Sequence, residues 1–242
     1  MRFDMSNYQS NKDIPNLIGS LETGSPGLLA KAVRQNPYGV LLLDEIEKAN
    51  KDLLNIFLTI LDEGYFTDGF GKRVDCKNLA IIATSNAGSD IIFSQLEVMG
   101  VPNQGSHQRA EFFQPAAGSS TGGKDEGQAP SQHIVNYLVE KKIFSPEFIN
   151  RFDAVVSFNP LDLNSAKQVG QKMIKKISDD IYSLHKIKLT VSNEFLNELI
   201  SKGYDQKFGA RNLERLIRDQ IEDRIAKLVL EEKTKSGDTI QL

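Results

Sequence analysis

The chain has 242 residues, 40% of them hydrophobic and 25% charged, which is enough for one sizeable core or two modest ones. A formal net charge of -3 argues against nucleic acid as a partner, because proteins that bind the phosphate backbone usually carry a basic excess. The single cysteine, Cys76, cannot form an internal disulfide, and no Cys/His cluster indicates zinc. No signal-peptide core and no apolar run of membrane-spanning length occur, so we expect a cytoplasmic protein with no membrane partner.

Short apolar runs alternate with helical periodicity along the first two thirds of the chain. Residues 40–43, 79–83 and 154–158 predict buried strands, and such short continuous runs are typical of a parallel sheet covered on both faces. Residues 28–34 and 51–62 predict helices between them. This alternation predicts an α/β fold. The second helix is expected to bury four side chains on one face: Leu54, Phe57, Leu58 and Leu61.

Residues 95–132 interrupt this pattern. They include Gly-Ser-Ser-Thr-Gly-Gly and several Gln and Pro, with little periodicity. This composition predicts a mobile surface insertion. A partner-binding loop is the alternative interpretation.

Beyond Pro160 the pattern becomes mainly helical. The sequence therefore predicts a large α/β subdomain over residues 1–159 and a small, mainly helical C-terminal subdomain over residues 160–242. The predicted elements of the second are a helix at 164–184, a strand at 187–191, a helix capped by Ser192 or Asn193, a helix at 211–231 and a strand from 239.

Two adjacent carboxylates, Asp44 and Glu45, directly follow the apolar run of residues 40–43. A buried strand rarely ends in two acids unless its tip enters a polar site, and alternation along a strand aims the two side chains differently. In nucleotide hydrolases this pattern is called Walker B: the Asp helps to hold Mg²⁺, and the Glu orients and polarises the attacking water. A strand followed by a solvated acidic turn is the alternative interpretation.

Three further polar residues occupy positions suited to phosphate chemistry. Asn86 follows the run at 79–83, and ligands of open α/β sheets lie outside the carboxyl ends of the strands, so we expect it beside Asp44 and Glu45. There its amide could hold the lytic water or a γ-phosphate oxygen. Arg151 and Arg211 fit charge stabilisers for phosphoryl transfer. An Asn that caps a turn and two surface arginines are the alternative interpretations.

Taken in this order, these motifs resemble the second ATPase domain of the Clp/ClpB-type AAA+ unfoldases. The resemblance covers nearly the whole chain except about 40 residues of insertion. The segments that carry it are Phe-Asp-Met-Ser at 3–6, Pro-Tyr-Gly-Val-Leu-Leu-Leu-Asp-Glu-Ile-Glu-Lys-Ala at 37–49, Leu-Asp-Glu-Gly-Tyr-Phe-Thr-Asp-Gly at 61–69, Gly-Lys-Arg-Val-Asp at 71–75, Ala-Thr-Ser-Asn-Ala-Gly-Ser-Asp at 83–90, Phe-Ile-Asn-Arg at 148–151, Gly-Tyr-Asp at 203–205 and Phe-Gly-Ala-Arg at 208–211.

The resemblance implies roles for five residues. Asp44 matches the Mg²⁺-associated acid, which acts through water, and Glu45 matches the catalytic acid of Walker B. Asn86 matches sensor 1. Arg151 matches the arginine finger, which acts on ATP bound by the neighbouring subunit. Arg211 matches sensor 2, which reaches the γ-phosphate of its own subunit from the small domain.

The resemblance also implies an activity and an assembly. The expected cofactors are ATP and Mg²⁺, and the expected assembly is a homohexameric ring. The implied function is ATP-driven unfolding and threading of unfolded or aggregated proteins, for disaggregation or for delivery to a protease. No Ile-Gly-Phe or Leu-Gly-Phe tripeptide for protease docking occurs in the insertion, which favours a chaperone.

One departure from the family pattern concerns the phosphate-binding loop, called Walker A. The sequence G-x-x-x-x-G-K-[ST] occurs nowhere in the chain, whereas the family places it upstream of the Phe-Asp-Met-Ser segment. The expected fold is therefore an incomplete P-loop-type parallel sheet that lacks its first strand and Walker A. The corresponding hypothesis is a fragment, or one half of a split ATPase.

A second departure concerns the pore loop. The family usually has Gly-Tyr-Val-Gly after the Ile-Gly that matches residues 18–19, and its aromatic ring grips the substrate. Here residues 20–28 contain no aromatic side chain, and Leu21 is the candidate apolar grip. This difference predicts weak or specialised translocation.

Two alternatives to an ATPase module remain. In the first, the chain is an interaction module that binds no nucleotide and docks on complete AAA+ subunits, donating Arg151 to their ATP. In the second, it loads helicases onto DNA, which the Clp-specific segments and the absence of a basic patch disfavour.

Overall fold

The computed structural model describes residues 1–22, 24–91, 111–113, 130–158, 160–205, 210–230 and 237–242. Its contacts divide the chain into two compact units. The described residues of the first unit are Met1–Ile91 with part of Glu111–Ser157, and those of the second lie within Phe158–Leu242. Each unit has its own architecture and is described separately.

Seven strands belong to the first unit as described. Strands β1, β2 and β5 form a parallel sheet with β2 in the middle, while β3 pairs with β4 and β6 pairs with β7, both antiparallel. The parallel register places Asp4 beside Asp44, and Leu43 beside Ala83, so these strands end at one edge of the sheet. The bounds are β1 Arg2–Asp4, β2 Gly39–Asp44, β3 Tyr65–Thr67, β4 Arg73–Asp75, β5 Leu79–Ala83, β6 Glu111–Phe113 and β7 Val155–Ser157.

Helix α3 follows the Asp44-Glu45 tip after a single 3-10 turn, Ile46–Lys48. The side chain of Asn50 caps its first turn, and Gly64 ends it in the left-handed conformation at φ 70°. The helices of this unit are α1 Ile14–Ile18, α2 Leu28–Gln35, α3 Lys51–Glu63, α4 Pro130–Glu140 and α5 Pro146–Ile149.

The buried face of α3 differs from the predicted one. Leu53, Phe57 and Ile60 are buried, whereas Leu54 and Leu58 are only partly covered. The prediction of a Leu54–Leu61 face was therefore wrong by about one position. Apolar residues on both flanks of the buried stripe make its centre ambiguous from spacing alone.

The prediction that the three apolar runs are buried on both faces was also wrong. Val40, Ile82 and Val156 are 47%, 50% and 41% exposed, and Phe158 is 75% exposed. Within the described residues, β5 pairs with β2 alone, and β7 lies in a different sheet. One face of these strands is therefore exposed within the described residues. Only alternate residues, such as Leu41 and Leu43, point into the core.

The predicted mobile insertion at 95–132 lies largely outside the described residues. Two described elements fall within it, strand β6 and the first residues of α4 from Pro130. Neither was predicted from the sequence, because both lie in or beside a segment of low periodicity.

The β3–β4 turn packs backbone against backbone on the loop after α1. The amide of Gly69 donates to the carbonyl of Ile18 at 2.9 Å, and a Cβ added to Gly69 would lie 2.1 Å from the carbonyl carbon of Gly19. Next to this contact, Ser20 and Ser25 pair in an isolated bridge, and Leu21 is 74% exposed at the tip. The turn thus holds the base of the short loop that resembles the pore loop.

The second unit is built around three helices and one pair of parallel strands. Asp162 caps α6 and Ser192 caps α7, the latter as predicted. The core includes Leu196, Leu213 and Ile217. The elements are α6 Leu163–His185, β8 Lys188–Thr190, α7 Asn193–Gly203, α8 Arg211–Leu230 and β9 Thr239–Gln241.

The predicted fold class is confirmed. The first unit contains a parallel sheet flanked by helices, and the second is small and mainly helical. Among the described residues, no helix has the length and apolar character needed to cross a lipid bilayer.

Candidate functional site

Acidic side chains collect at the carboxyl edge of the parallel sheet. Asp4, Asp44 and Thr84 stand at or just beyond the ends of neighbouring strands β1, β2 and β5. Glu45 follows Asp44 directly. The register therefore brings the predicted Walker B pair to the edge where ligands of open α/β sheets lie.

Asp44 is held on two sides. The hydroxyl of Thr84 donates to Oδ1 of Asp44, and the guanidinium of Arg2 forms an ion pair with Oδ2. The carboxylate is 24% exposed and Arg2 is 69% exposed. An exposed arginine can leave such a pair at little cost, so Asp44 stays accessible to another cation.

Glu45 adopts the left-handed backbone conformation, with φ 54° and ψ 48°. This conformation is uncommon for a residue other than glycine, and it turns the chain from β2 into the next 3-10 turn. Its amide donates to Oγ1 of Thr84 at 3.3 Å, and the amide of Ile46 donates to the Thr84 carbonyl at 3.0 Å. These bonds tie the strained turn to the end of β5.

The side chain of Glu45 accepts a hydrogen bond from Nζ of Lys48 at 2.5 Å. This bond and the charge of Glu45 raise the pKa of Lys48 above its ordinary value. Lys48 therefore stays charged at neutral pH and fixes the orientation of the candidate catalytic carboxylate.

Asn86 follows β5, as predicted, with an exposed side chain. Its backbone N–H donates to Oε1 of Glu47 at 3.2 Å. In the described part of the chain, Oε2 of Glu47 is buried and has no hydrogen-bond partner. Glu47 thus links the turn after β2 to the turn after β5 through Oε1.

Asp4 faces the 3-10 turn that follows β1. Its carboxylate accepts from the hydroxyl of Ser6 at 2.5 Å and from the Ser6 amide at 2.9 Å. These two bonds, the hydroxyl bond first, hold the pKa of Asp4 below its ordinary value against the opposing charge of Asp44. Asp4 is therefore ionised at neutral pH, beside Asp44 at the edge of the sheet.

Arg151 lies away from the acidic edge. It follows α5, and its Nε is 2.7 Å from Oδ1 of Asp62, near the end of α3. Arg211 is the first residue of α8 and is exposed. It belongs to the second unit.

The donor set at the edge suits Mg²⁺ bound with a nucleotide. Magnesium is usually held by one or two carboxylates together with substrate phosphates and waters, rather than by a full set of protein ligands. Asp44 supplies such a carboxylate. The described residues contain no group of three or more His, Cys, Asp or Glu side chains arranged for a metal.

Sequence reasoning missed four residues of this edge. Thr84 and Glu47 lie in segments that carry the family resemblance, but no role was predicted for them. None was predicted for Arg2 or Lys48 either. Their contacts depend on strand register, which spacing alone does not supply. The one available signal was the third acid of the Asp-Glu-Ile-Glu run, which periodicity alone does not explain.

Comparison with known proteins gives two matches that together span nearly the whole chain. Residues 1–155 match the AAA domain (Cdc48 subfamily), and residues 161–242 match the C-terminal, D2-small domain of ClpB protein. The two matched segments are separated by residues 156–160, which include the boundary between the two units at Ser157 and Phe158.

Individual relatives agree with these matches. The chain is 35% identical to the chaperone protein ClpB of Rickettsia felis, 34% identical to that of Lactiplantibacillus plantarum and 35% identical to the chloroplastic chaperone protein ClpD2 of Oryza sativa subsp. japonica. Each alignment covers 100% of this chain but only 24 or 25% of the relative. The chain thus spans about a quarter of the length of the curated relatives it matches. Since the AAA match alone covers well over half of its residues, this chain belongs to the AAA domain family, in a ClpB-type form that joins the AAA domain to a D2-small domain.

Proposed function

We propose that this chain is part of a Clp/ClpB-like ATP-dependent protein unfoldase or disaggregase, and that it supplies the hydrolytic acids of that ATPase. The observation that carries the proposal is the pair Asp44 and Glu45, which ends the middle strand of a parallel sheet in an AAA domain. The names of the relatives support a chaperone, since they are called chaperone proteins.

The acidic edge provides the groups for hydrolysis. Asp44 would hold Mg²⁺ through water, and bound Mg²⁺ would neutralise charge on the phosphates during transfer. Glu45 would accept a hydrogen bond from the attacking water and polarise it. Asn86, after the neighbouring strand, would orient that water or contact the γ-phosphate.

Two basic side chains form ion pairs with the acids of this edge. Lys48 would orient Glu45, and Arg2 would neutralise Asp44 in the absence of bound Mg²⁺ and nucleotide. The exposure of Arg2 allows it to move away, because a surface ion pair is worth only about 0–1 kcal/mol.

The two arginines would complete the site at a subunit boundary. Arg151 would serve as the arginine finger for ATP in a neighbouring subunit, and Arg211 would contact the γ-phosphate from the small domain. A finger is worth roughly 10³–10⁵ in rate where it acts. Because a finger acts between subunits, the proposal includes a hexameric ring.

The substrate would be an unfolded or aggregated polypeptide. The loop around Leu21 is short and has a single large apolar side chain at its tip, so its grip on a passing chain would be weaker than an aromatic grip. We therefore propose weak or specialised translocation, with a protease as a possible partner.

The test is reactivation of a heat-aggregated reporter enzyme by the complete native protein that contains these 242 residues, with ATP and Mg²⁺. We expect recovery that depends on ATP and is lost in Arg151→Ala and Arg211→Ala variants, measured beside ATP hydrolysis. ATP hydrolysis without recovery of reporter activity would contradict the remodelling function but not the ATPase activity. Absence of both would overturn the proposal.

A further inference from the structure

The side chains of Asp62 and Arg151 form an ion pair within the first unit. Nε of Arg151 lies 2.7 Å from Oδ1 of Asp62, and the two side chains are 42% and 30% exposed for Arg151 and Asp62 respectively. The pair joins the end of α3 to the segment after α5.

Asp62 stands on a rigid support. It is the penultimate residue of α3, which buries Leu53, Phe57 and Ile60 and is capped at both ends. The same helix begins just after the Ile46–Lys48 turn that carries the Glu45 contact. The backbone of Asp62 is thus fixed by the helix that follows the Asp44-Glu45 tip.

The backbone of Arg151 is fixed as well. Ser145 caps α5 through the amide of Phe148, and the amide of Arg151 donates to the Phe148 carbonyl at 3.3 Å. Phe148 is buried and its ring packs edge-on against Phe152 at 5.4 Å. The long side chain of Arg151 is then left to be oriented, and Asp62 forms an ion pair with it.

The chemistry of the pair favours orientation over stability. An ion pair this exposed contributes little to folding, because water screens it and two side chains must be ordered to make it. A guanidinium, however, carries five N–H donors in a planar fork, so a bond through Nε is compatible with donation from the Nη groups to a second anion. When Asp62 holds the Nε edge of the guanidinium, the direction in which the Nη groups donate is set as well.

We propose that Asp62 is a positioning residue for Arg151: it holds the guanidinium in the orientation from which Arg151 reaches the phosphate of a neighbouring subunit. The proposal rests on the proposed function, in which Arg151 is the finger. In this proposal Asp62 takes part in the reaction only through Arg151. The ion pair also connects Arg151 to the helix that follows Asp44 and Glu45.

The experiment is steady-state ATP hydrolysis by the complete native protein carrying Asp62→Asn. Loss of the charge should leave the arginine to sample several rotamers, so we expect kcat to fall about tenfold while KM for ATP stays within about twofold. The melting temperature should not change, since the pair adds little to stability. Asp62→Glu, which keeps the carboxylate, should recover part of the rate. Glu198→Gln, which removes the charge from a more exposed ion pair with Lys202 in the second unit, is the control and should leave kcat unchanged.

A double-mutant cycle separates positioning from other effects. If Asp62 acts through Arg151, adding Asp62→Asn to Arg151→Ala should not lower the single-turnover rate further. A wild-type rate in Asp62→Asn, or an equal loss in the Arg151→Ala background, overturns this proposal while leaving the ATPase intact. A wild-type protein that does not hydrolyse ATP overturns the proposed function, and the role of Asp62 with it.

Discussion

Thr84 contacts both Asp44 and Glu45, the two acids proposed to act in hydrolysis. Its hydroxyl donates to Asp44 and accepts from the Glu45 amide, so one side chain sets the geometry of two adjacent residues on a neighbouring strand. The uncommon left-handed backbone of Glu45 depends on such support from outside its own strand.

Replacing Thr84 by Val tests this support. The substitution keeps the shape and removes the hydroxyl, so the unfolding free energy of the chain should fall by about 1 kcal/mol. Thr84→Ser, which retains the hydroxyl, is the matched control and should lose less than half as much. Urea denaturation measures both, and equal losses in the two variants would show that the hydroxyl is not the cause.

The lowered pKa of Asp4 predicts a pH dependence of stability. Because the folded pKa lies below the ordinary value of 3.8, the unfolded chain binds the proton more readily. The stabilising contribution is therefore complete above pH 3.8 and disappears as the pH falls through the folded pKa.

Ser6→Ala should remove the larger part of this contribution. The difference in unfolding free energy between wild type and Ser6→Ala should be largest near neutral pH and shrink as the pH falls below about 4. Urea titrations across the acidic range measure it. Ser201→Ala is the control, because its hydroxyl donates to a backbone carbonyl and carries no linked titration. A difference that is constant with pH would contradict the account.

At this scale the sequence predicted the acids but not their partners. Asp44, Glu45 and Asn86 could be placed near one another because each follows an apolar run and parallel strands end at a common edge. Thr84 and Glu47 could not be assigned contacts, since a shift of one residue in register would turn either side chain to the opposite face. The roles of Arg151 and Arg211 stay predictions.

At the scale of elements, the sequence located helices and strands better than their buried faces. Helix α3 was predicted at residues 51–62 and spans Lys51–Glu63, yet its core residues Leu53 and Ile60 were not chosen. Strand β5 was predicted well, but Ile82 is 50% exposed. In both elements more apolar residues occur than the neighbouring elements cover. The apolar pattern alone therefore overestimates how many side chains are buried.

The close approach of the β3–β4 turn to the loop after α1 yields a prediction of its own. Gly69→Ala would bring a methyl group within 2.1 Å of Gly19 backbone, so we expect a loss of about 1–3 kcal/mol from overpacking. The control is Gly71→Asn in the same turn, where an added Cβ meets nothing within 4 Å and asparagine tolerates the positive φ. Urea denaturation of the two variants compares them. Equal stability of Gly69→Ala and wild type would show that the two turns do not pack as described.

At the scale of the whole molecule, the chain consists of two units with separate cores. The second unit buries a cluster that includes Leu196, Leu213 and Ile217, all from its own helices. The α/β-plus-helical organisation was predicted from the change in periodicity near Pro160. The exact extent of each subdomain, 1–159 and 160–242, stays a proposal.

A self-contained core predicts independent folding. Residues 158–242 expressed alone should unfold in one cooperative transition by circular dichroism. Leu213→Ala should then cost about 2–5 kcal/mol, because Leu213 is fully buried. Leu184→Ala, at a position that is 77% exposed, should change stability by less than about 0.5 kcal/mol. An unstructured fragment would show that the second unit depends on the first.

The central claim is that Glu45 is the acid that activates water in an ATPase built on this chain. Its most direct test compares wild type with Glu45→Gln in the complete native protein, by following bound ATP and released phosphate in a single turnover. The amide keeps the shape and hydrogen-bonding reach of the side chain but cannot accept a proton. We expect Glu45→Gln to bind ATP with unchanged affinity and to hydrolyse it at least about 100-fold more slowly. Phosphate release at the wild-type rate by Glu45→Gln would contradict the account.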